Sequence, residues 1–294
     1  HVSTSNVDAS FNYFRPKPGT GGPEGDYVRL ALELFDKGKL GLAIKTVEML
    51  IADFPRTNYK AEMSLLKAAA QIKLGLEDVA IRNLSGMMVE FKESPVAIHI
   101  ATYLAIRSFD NESYLQSLET FLWLIANYPE DRKAWLFHIG AAEVLFKLKE
   151  TDRAAAEYQW VVENGATPGI QAEATSRIGN LFMERRQYDR AISVYNQLAE
   201  HFKTQVDGQA TALINRGEAN FWLKKFQVSA AEFRDFLKRF PNHQAGWRAY
   251  YRLGELVGTQ EGAEAKDESR QYFQKAINRF PFSPGATLAR VRLA

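Results

Sequence analysis

QAEATSRIGNLFMERRQYDRAISVYNQLAEHF, residues 171–202, reads as two short amphipathic helices joined by a tight polar turn. Its large apolar residues, Ile178, Phe182, Tyr188, Tyr195, Leu198 and Phe202, keep helical spacing on each side of that turn. Small residues at Gly179 and Ala191 let the two helices approach closely, and the large residues one turn away fill the remaining space.

The same paired signals return along the chain. Small residues mark the crossing in each second helix at Ala43, Ala80, Ser117, Ala154, Ala191, Ser229 and Ser269, with gaps of 37, 37, 37, 37, 38 and 40. Aromatic residues close those helices on the same beat at Phe54, Phe91, Tyr128, Phe202, Phe240 and Phe280, and the missing beat falls on Gly165. Proline follows directly at Pro55, Pro129, Pro241 and Pro281, where no helix can continue. Each hairpin carries an apolar stripe that it cannot cover alone, so neighbours must stack. The expected fold class is therefore all-α: an α-α superhelix of about seven helical hairpins. A last helix, from Ser283 to Ala294, either caps the final apolar face or opens a further hairpin.

Residues 1–25 stand apart. PKPGTGGPEG, Pro16 to Gly25, cannot nucleate a helix and reads as an extended arm or linker. Phe11, Tyr13 and Phe14 are either stray aromatics on a loose end or groups that dock into a groove. Asp26 is the expected N-cap of the first helix. Hairpins 1 to 4 then occupy 26–164, and hairpins 5 to 7 with the terminal helix occupy 165–294. The array is continuous, with Gly165-Ala166-Thr167-Pro168-Gly169 as the expected hinge.

The stretch 171–202 resembles the tetratricopeptide repeat, in which a W-x2-L-G-x2-Y run precedes A-x3-F and a proline. It departs at Thr175, which stands in place of the Trp, and at Lys203, in place of the Pro. The resemblance covers about Asp26 to Pro281, with a repeat slightly longer than the usual ~34 residues. The endings ADFP (52–55), ANYP (126–129), KRFP (238–241) and NRFP (278–281) resemble bacterial envelope members of that family, among them outer-membrane assembly lipoproteins and periplasmic cell-division coordinators. That resemblance implies a bacterial periplasmic or envelope-associated setting, with the cytoplasm as the alternative.

Composition narrows the chemistry. A net charge of +2 over 294 residues implies no polyanionic partner, and the absence of cysteine excludes disulfides, thiolate metal sites and a cysteine nucleophile. No apolar run reaches the length of a membrane span. The chain opens at His1 and its first methionine is Met49, which reads as a processed or truncated product. The five histidines, His1, His99, His138, His201 and His243, form no i, i+4 pair. Gly19-Thr20-Gly21-Gly22 lacks the strand before it and the Gly-Lys-Ser/Thr after it that a phosphate loop needs. Glu77-Asp78 and Glu130-Asp131 suit helix N-termini. Arg185-Arg186 and Lys224-Lys225 are solvated turn pairs, too sparse for nucleic acid. No nucleophile, base and orienter assemble, so the chain is expected to be no enzyme and to hold no metal or cofactor.

Function should then lie on a surface. In tetratricopeptide repeats the first helices (A) line a concave wall that binds peptides. Registering each on its small residue points Val28, Leu32 and Phe35, then Leu65, Ala69 and Ile72, then Ile106 and Phe109 inward. That is an apolar groove for a partner helix, for the aromatic arm or for a second copy, unless tight stacking buries it as core. In hairpins 5 to 7 the inward set is Glu173, Asn180, Met183 and Glu184, then Glu218, Phe221 and Trp222, then Arg248, Tyr251 and Glu255. This wall is acidic with interleaved aromatics and suits a basic or backbone-exposing peptide. Asn180 matches one position of the family's carboxylate clamp, but Ser176, Glu218 and Glu255 replace the others, which disfavours a terminal carboxylate. Trp222 is the expected main contact unless it packs between hairpins 6 and 7. The expected role is a protein-binding scaffold in an envelope assembly. The alternative is a regulatory or assembly domain of a larger secretion, polysaccharide-export or synthesis machine.

Overall fold

The computed structural model describes residues 21–294; Phe11, Tyr13, Phe14 and the first half of the GTGG run lie outside them. Among the described residues there are fifteen helices and no strand. The chain divides into two compact units, one ending at Glu150 and the other beginning at Thr151.

The first unit contains α1 (Pro23–Asp36), α2 (Leu40–Asp53), α3 (Lys60–Lys73), α4 (Glu77–Glu90), α5 (Ala97–Asp110), α6 (Tyr114–Asn127) and α7 (Ala134–Lys147). The second contains α8 (Thr151–Asn164), α9 (Pro168–Glu184), α10 (Tyr188–His201), α11 (Val206–Trp222), α12 (Phe226–Arg239), α13 (Gly246–Gly258), α14 (Ala263–Arg279) and α15 (Pro284–Leu293). Within each unit every helix packs on its chain neighbours. The A helices also meet along their own row, α5 with α7, α9 with α11 and α13 with α15. This is the hairpin-after-hairpin topology that the 37-residue beat demands.

The first helix begins earlier than Asp26. Pro23 opens it with Gly22 as N-cap, so residues 23–25 of the expected arm are helical. Proline brings a helical φ and lacks an N–H that would go unpaired there, while Glu24 and Asp26 face the positive end of the helix dipole. The break after α8 is also shorter than expected, because Pro168 and Gly169 already belong to α9, which Thr167 caps by accepting from the Ile170 N–H.

The seven small residues of the B helices are all buried. Three are serines whose hydroxyls donate to a carbonyl of the facing A helix: Ser117 to Ala105, Ser229 to Gly217 and Ser269 to Gly254, at 2.7–2.8 Å. On the opposite side an A-helix glycine meets a ring. A Cβ at Gly217 would stand 2.7 Å from the Phe233 ring, and one at Gly254 2.6 Å from Phe273. In the second unit Leu213, Ile214, Phe233, Phe236, Leu253 and Leu256 form one buried cluster, and Tyr250, Tyr251, Phe273, Ala276 and Ala289 form the next. Leaving both sides of the crossing small allows the rings to interlock at native packing density.

Six A-to-B turns are copies of one another. Gly38, Gly75, Glu112, Lys149, Arg186 and Lys224 all have positive φ, between 57° and 76°. Around each, two backbone bonds close the helix end: Gly38 N–H reaches Phe35 O and Lys39 N–H reaches Leu34 O, and the pattern recurs through Lys224 to Phe221 and Lys225 to Asn220. This is the Schellman closure of a helix C-terminus. Glycine takes the left-handed conformation at no steric cost at residues 38 and 75, whereas the other four turns use side-chain-bearing residues.

Candidate functional site

Polar groups on the A helices of the second unit join into a chain that runs from one hairpin to the next. Asn180 Oδ1 on α9 accepts from the Tyr195 hydroxyl at 2.7 Å and from Asn215 Nδ2 on α11 at 3.1 Å. Asn215 Oδ1 in turn accepts from Arg248 Nη1 on α13 at 2.9 Å. Burial pushes the Tyr195 phenol well above its usual range, so it remains a neutral donor within this cluster.

One turn further along the same helices the chain becomes ionic. Glu218, only 6% exposed, receives Arg252 Nε at 3.1 Å and lies 3.6 Å from Arg248 Nε. Arg252 Nη1 also reaches Glu255 at 2.7 Å, and Glu255 accepts from the Tyr251 hydroxyl and from Arg292 on α15. Burial works against the Arg252 charge, but Glu218 and Glu255 outweigh it and hold the guanidinium above its ordinary range. Arg252 also lies over the Phe221 ring, 4.2 Å from its centroid.

An aromatic group adjoins this ladder. Trp222 is 52% exposed; it stacks on Tyr188 at 6.4 Å with 12° between the planes, and meets Phe221 edge-on at 5.5 Å. Phe226, 48% exposed, packs on Phe221 from the next helix. Trp222 thus leans on Tyr188 of hairpin 5, has the Arg252 guanidinium of hairpin 7 over its ring at 5.4 Å, and leaves about half its surface open.

The expected contact residues divide into core and surface. Leu65 and Ile106 are fully packed and offer no surface, while Leu32, Phe35, Ile72 and Phe109 are half-buried. Leu32 and Phe35 pack against the Val28–Met63 core, and Phe35 lies under the Lys73 ammonium at 4.6 Å. On the second wall Asn180 and Glu184 are exposed, Phe221, Arg248 and Glu255 are half-buried, and Tyr251 is buried. Glu218, expected as a contact residue of the inner wall, is instead buried: a carboxylate at that depth is tolerated because Arg248 and Arg252 surround it. Asn215, Arg252, Tyr195 and Arg292 are parts of the ladder that the sequence reading did not single out. Spacing alone would not have found them, since Asn180, Asn215 and Arg248 lie 35 and 33 residues apart, off the 37–38-residue beat of Gly179, Gly217 and Gly254.

Among the described residues no cluster of His, Asp and Glu is arranged to hold a metal, and no helix is long and apolar enough to cross a membrane.

Residues 101–217 match the family model of a tetratricopeptide repeat-like domain. No curated protein sequence matches the chain. Solved structures are similar in fold at low identity. A tetratricopeptide repeat protein from Parabacteroides merdae is 14% identical with a TM-score of 0.53, covering 93% of this chain and 100% of its own. The C-terminal part of a TPR repeat-containing protein from Cytophaga hutchinsonii is 11% identical with a TM-score of 0.62, covering 89% of this chain and 98% of its own. The apo form of RapI is 10% identical with a TM-score of 0.65, covering 90% of this chain and 78% of its own. The match over 101–217, the same hairpin repeated on both sides of it, and these similar structures give the chain the all-α fold of tetratricopeptide repeat-like proteins.

Proposed function

We propose that the chain is a non-enzymatic scaffold that binds a protein partner along the A-helix face of its second unit. The observation that carries this reading is the half-exposed Trp222, seated on Tyr188 beside the Asn180–Asn215–Arg248 ladder. A rigid aromatic near a fixed amide suits a peptide, whose side chains cover the ring while its backbone bonds to the exposed Asn180 amide. Asn180 and Glu184 form the exposed rim of that surface. The setting we propose is a bacterial envelope assembly, on the ground of the four Phe/Tyr-Pro endings; fractionation of the source cells tests it.

Photo-crosslinking tests the binding. A benzoylphenylalanine at Glu184 or at Trp222 should capture one and the same protein from native extract. The same group at Val89, exposed on α4, should not capture it. Failure of both site positions, or equal capture at Val89, would overturn the reading.

A further inference from the structure

The turn of the last hairpin is longer than the others. Three residues, 223–225, join α11 to α12, whereas four, 259–262, separate α13 from α14, and Gly262 takes φ 113° to cap α14. The turn ends of hairpins 6 and 7 enclose a cavity of about 380 Å³, whose lining includes Phe221, Phe226, Glu255, Leu256, Phe273 and Arg292.

The polar groups of this cavity are mostly engaged with one another. Ser269 Oγ donates to the Gly254 carbonyl at 2.7 Å and Thr259 Oγ1 to the Leu256 carbonyl at 2.8 Å. The Glu255 carboxylate accepts from Tyr251, Arg252 and Arg292 at 3.0, 2.7 and 2.9 Å. An ionic ligand in the depth would meet three phenylalanine rings, a leucine and an already neutralised carboxylate, and would lose its hydration with little in return. An aromatic or large aliphatic group loses nothing there and gains ring-edge contacts. Arg292 has donors to spare, because its side chain is 56% exposed and a guanidinium carries five N–H donors. The cavity volume lies at the small end of the range for ligand sites, about 300–1,000 Å³, which fits one bulky side chain and its adjoining backbone. Trp222 and Phe226, both about half exposed, extend the apolar surface beyond the mouth, as a protein interface requires.

We propose that this cavity is an anchor pocket for one bulky apolar side chain of a partner protein, with the adjoining backbone carbonyl taking the free donors of Arg292. The proposal rests on the protein-binding reading above and places the anchor at the turn ends of hairpins 6 and 7.

N-acetyl-L-phenylalanine amide, titrated onto the full chain and followed by amide NMR shifts, should bind saturably in the millimolar range. The largest shifts should fall at Gly254, Gly258 and Phe273. N-acetylglycine amide, which has the same backbone groups and no ring, should give no saturable shift. Thr259→Trp, at an exposed lining position, should plug the mouth and weaken the phenylalanine amide about tenfold, with an unchanged circular dichroism spectrum. Arg292→Ala should weaken it by a smaller factor. Equal response to the two amides, unsaturable shifts, or indifference to Thr259→Trp would overturn the pocket. A crosslinked partner that binds the Thr259→Trp chain as tightly as the parent would also overturn it, while leaving the protein-binding reading in place. Saturable probe binding with no partner captured would remove that reading and the partner side chain with it.

Discussion

Lys224 adopts a φ of 59°, a conformation that costs a side-chain-bearing residue roughly 1–2 kcal/mol and glycine almost nothing. Lys224→Gly and Arg186→Gly are each expected to stabilise the chain by about 0.5 kcal/mol, the relief of strain less the entropy that glycine adds to the unfolded state. Urea midpoints with unchanged slopes would show it. Glu218 is the opposite case. Removing it leaves Arg248 and Arg252 facing each other without their shared counter-charge, so Glu218→Ala should cost about 3 kcal/mol. Arg292→Ala removes an exposed pair and should cost well under ~1 kcal/mol. Equal losses in chemical denaturation would refute that ranking. His99 gives the chain a pH response. Burial, and secondarily Lys133, pulls its pKa from 6.5 down to about 4 against the opposing pull of Asp131. The unfolded chain therefore binds this proton more readily than the folded one, and stability falls as pH drops from about 6.5 towards 4. His99→Gln should flatten the melting temperature across that window. The sequence could not disclose these properties, because strain at Lys224, burial of Glu218 and the depressed His99 all depend on neighbours about 30 residues away or on backbone angles.

The hairpins themselves were readable, and particular residues say why. Ala43, Ala80 and Ser117 stand at the crossings because only small side chains fit there, and Phe54, Tyr128, Phe240 and Phe280 end helices because the following proline bars the next turn. Such local rules leave their trace in the residue type. The start of α1 was misplaced because Asp26, an ordinary capping residue, lies inside a helix that Pro23 had already opened. Register between hairpins left a weaker trace. Asn215 and Arg252 belong to common residue types, and their meaning arises from Asn180 one hairpin earlier and Glu218 on the neighbouring A helix. The expected apolar groove failed at Leu65 and Ile106 for a related reason: helical spacing tells which face is apolar, not whether a neighbour covers it.

Within each unit, contacts that follow chain order make stability a sum of hairpins and their nearest interfaces. Phe233 is fully buried between α11 and α12, and its replacement by alanine should cost about 3–5 kcal/mol. That loss should stay local. Hydrogen exchange is expected to accelerate in α11, α12 and α13, while α1, α2 and α3 keep the protection they had. A uniform loss along the chain would show that the hairpins do not act as neighbours only.

The six copied turns have a further consequence. Gly75 and Glu112 occupy equivalent points of the same backbone closure, 37 residues apart. A chain that lacks residues 76–112 would pass from α3 through an unaltered left-handed residue straight into α6. Any pair of these points is thus a natural splice site, at which recombination can lengthen or shorten the molecule by whole modules and still leave a foldable product.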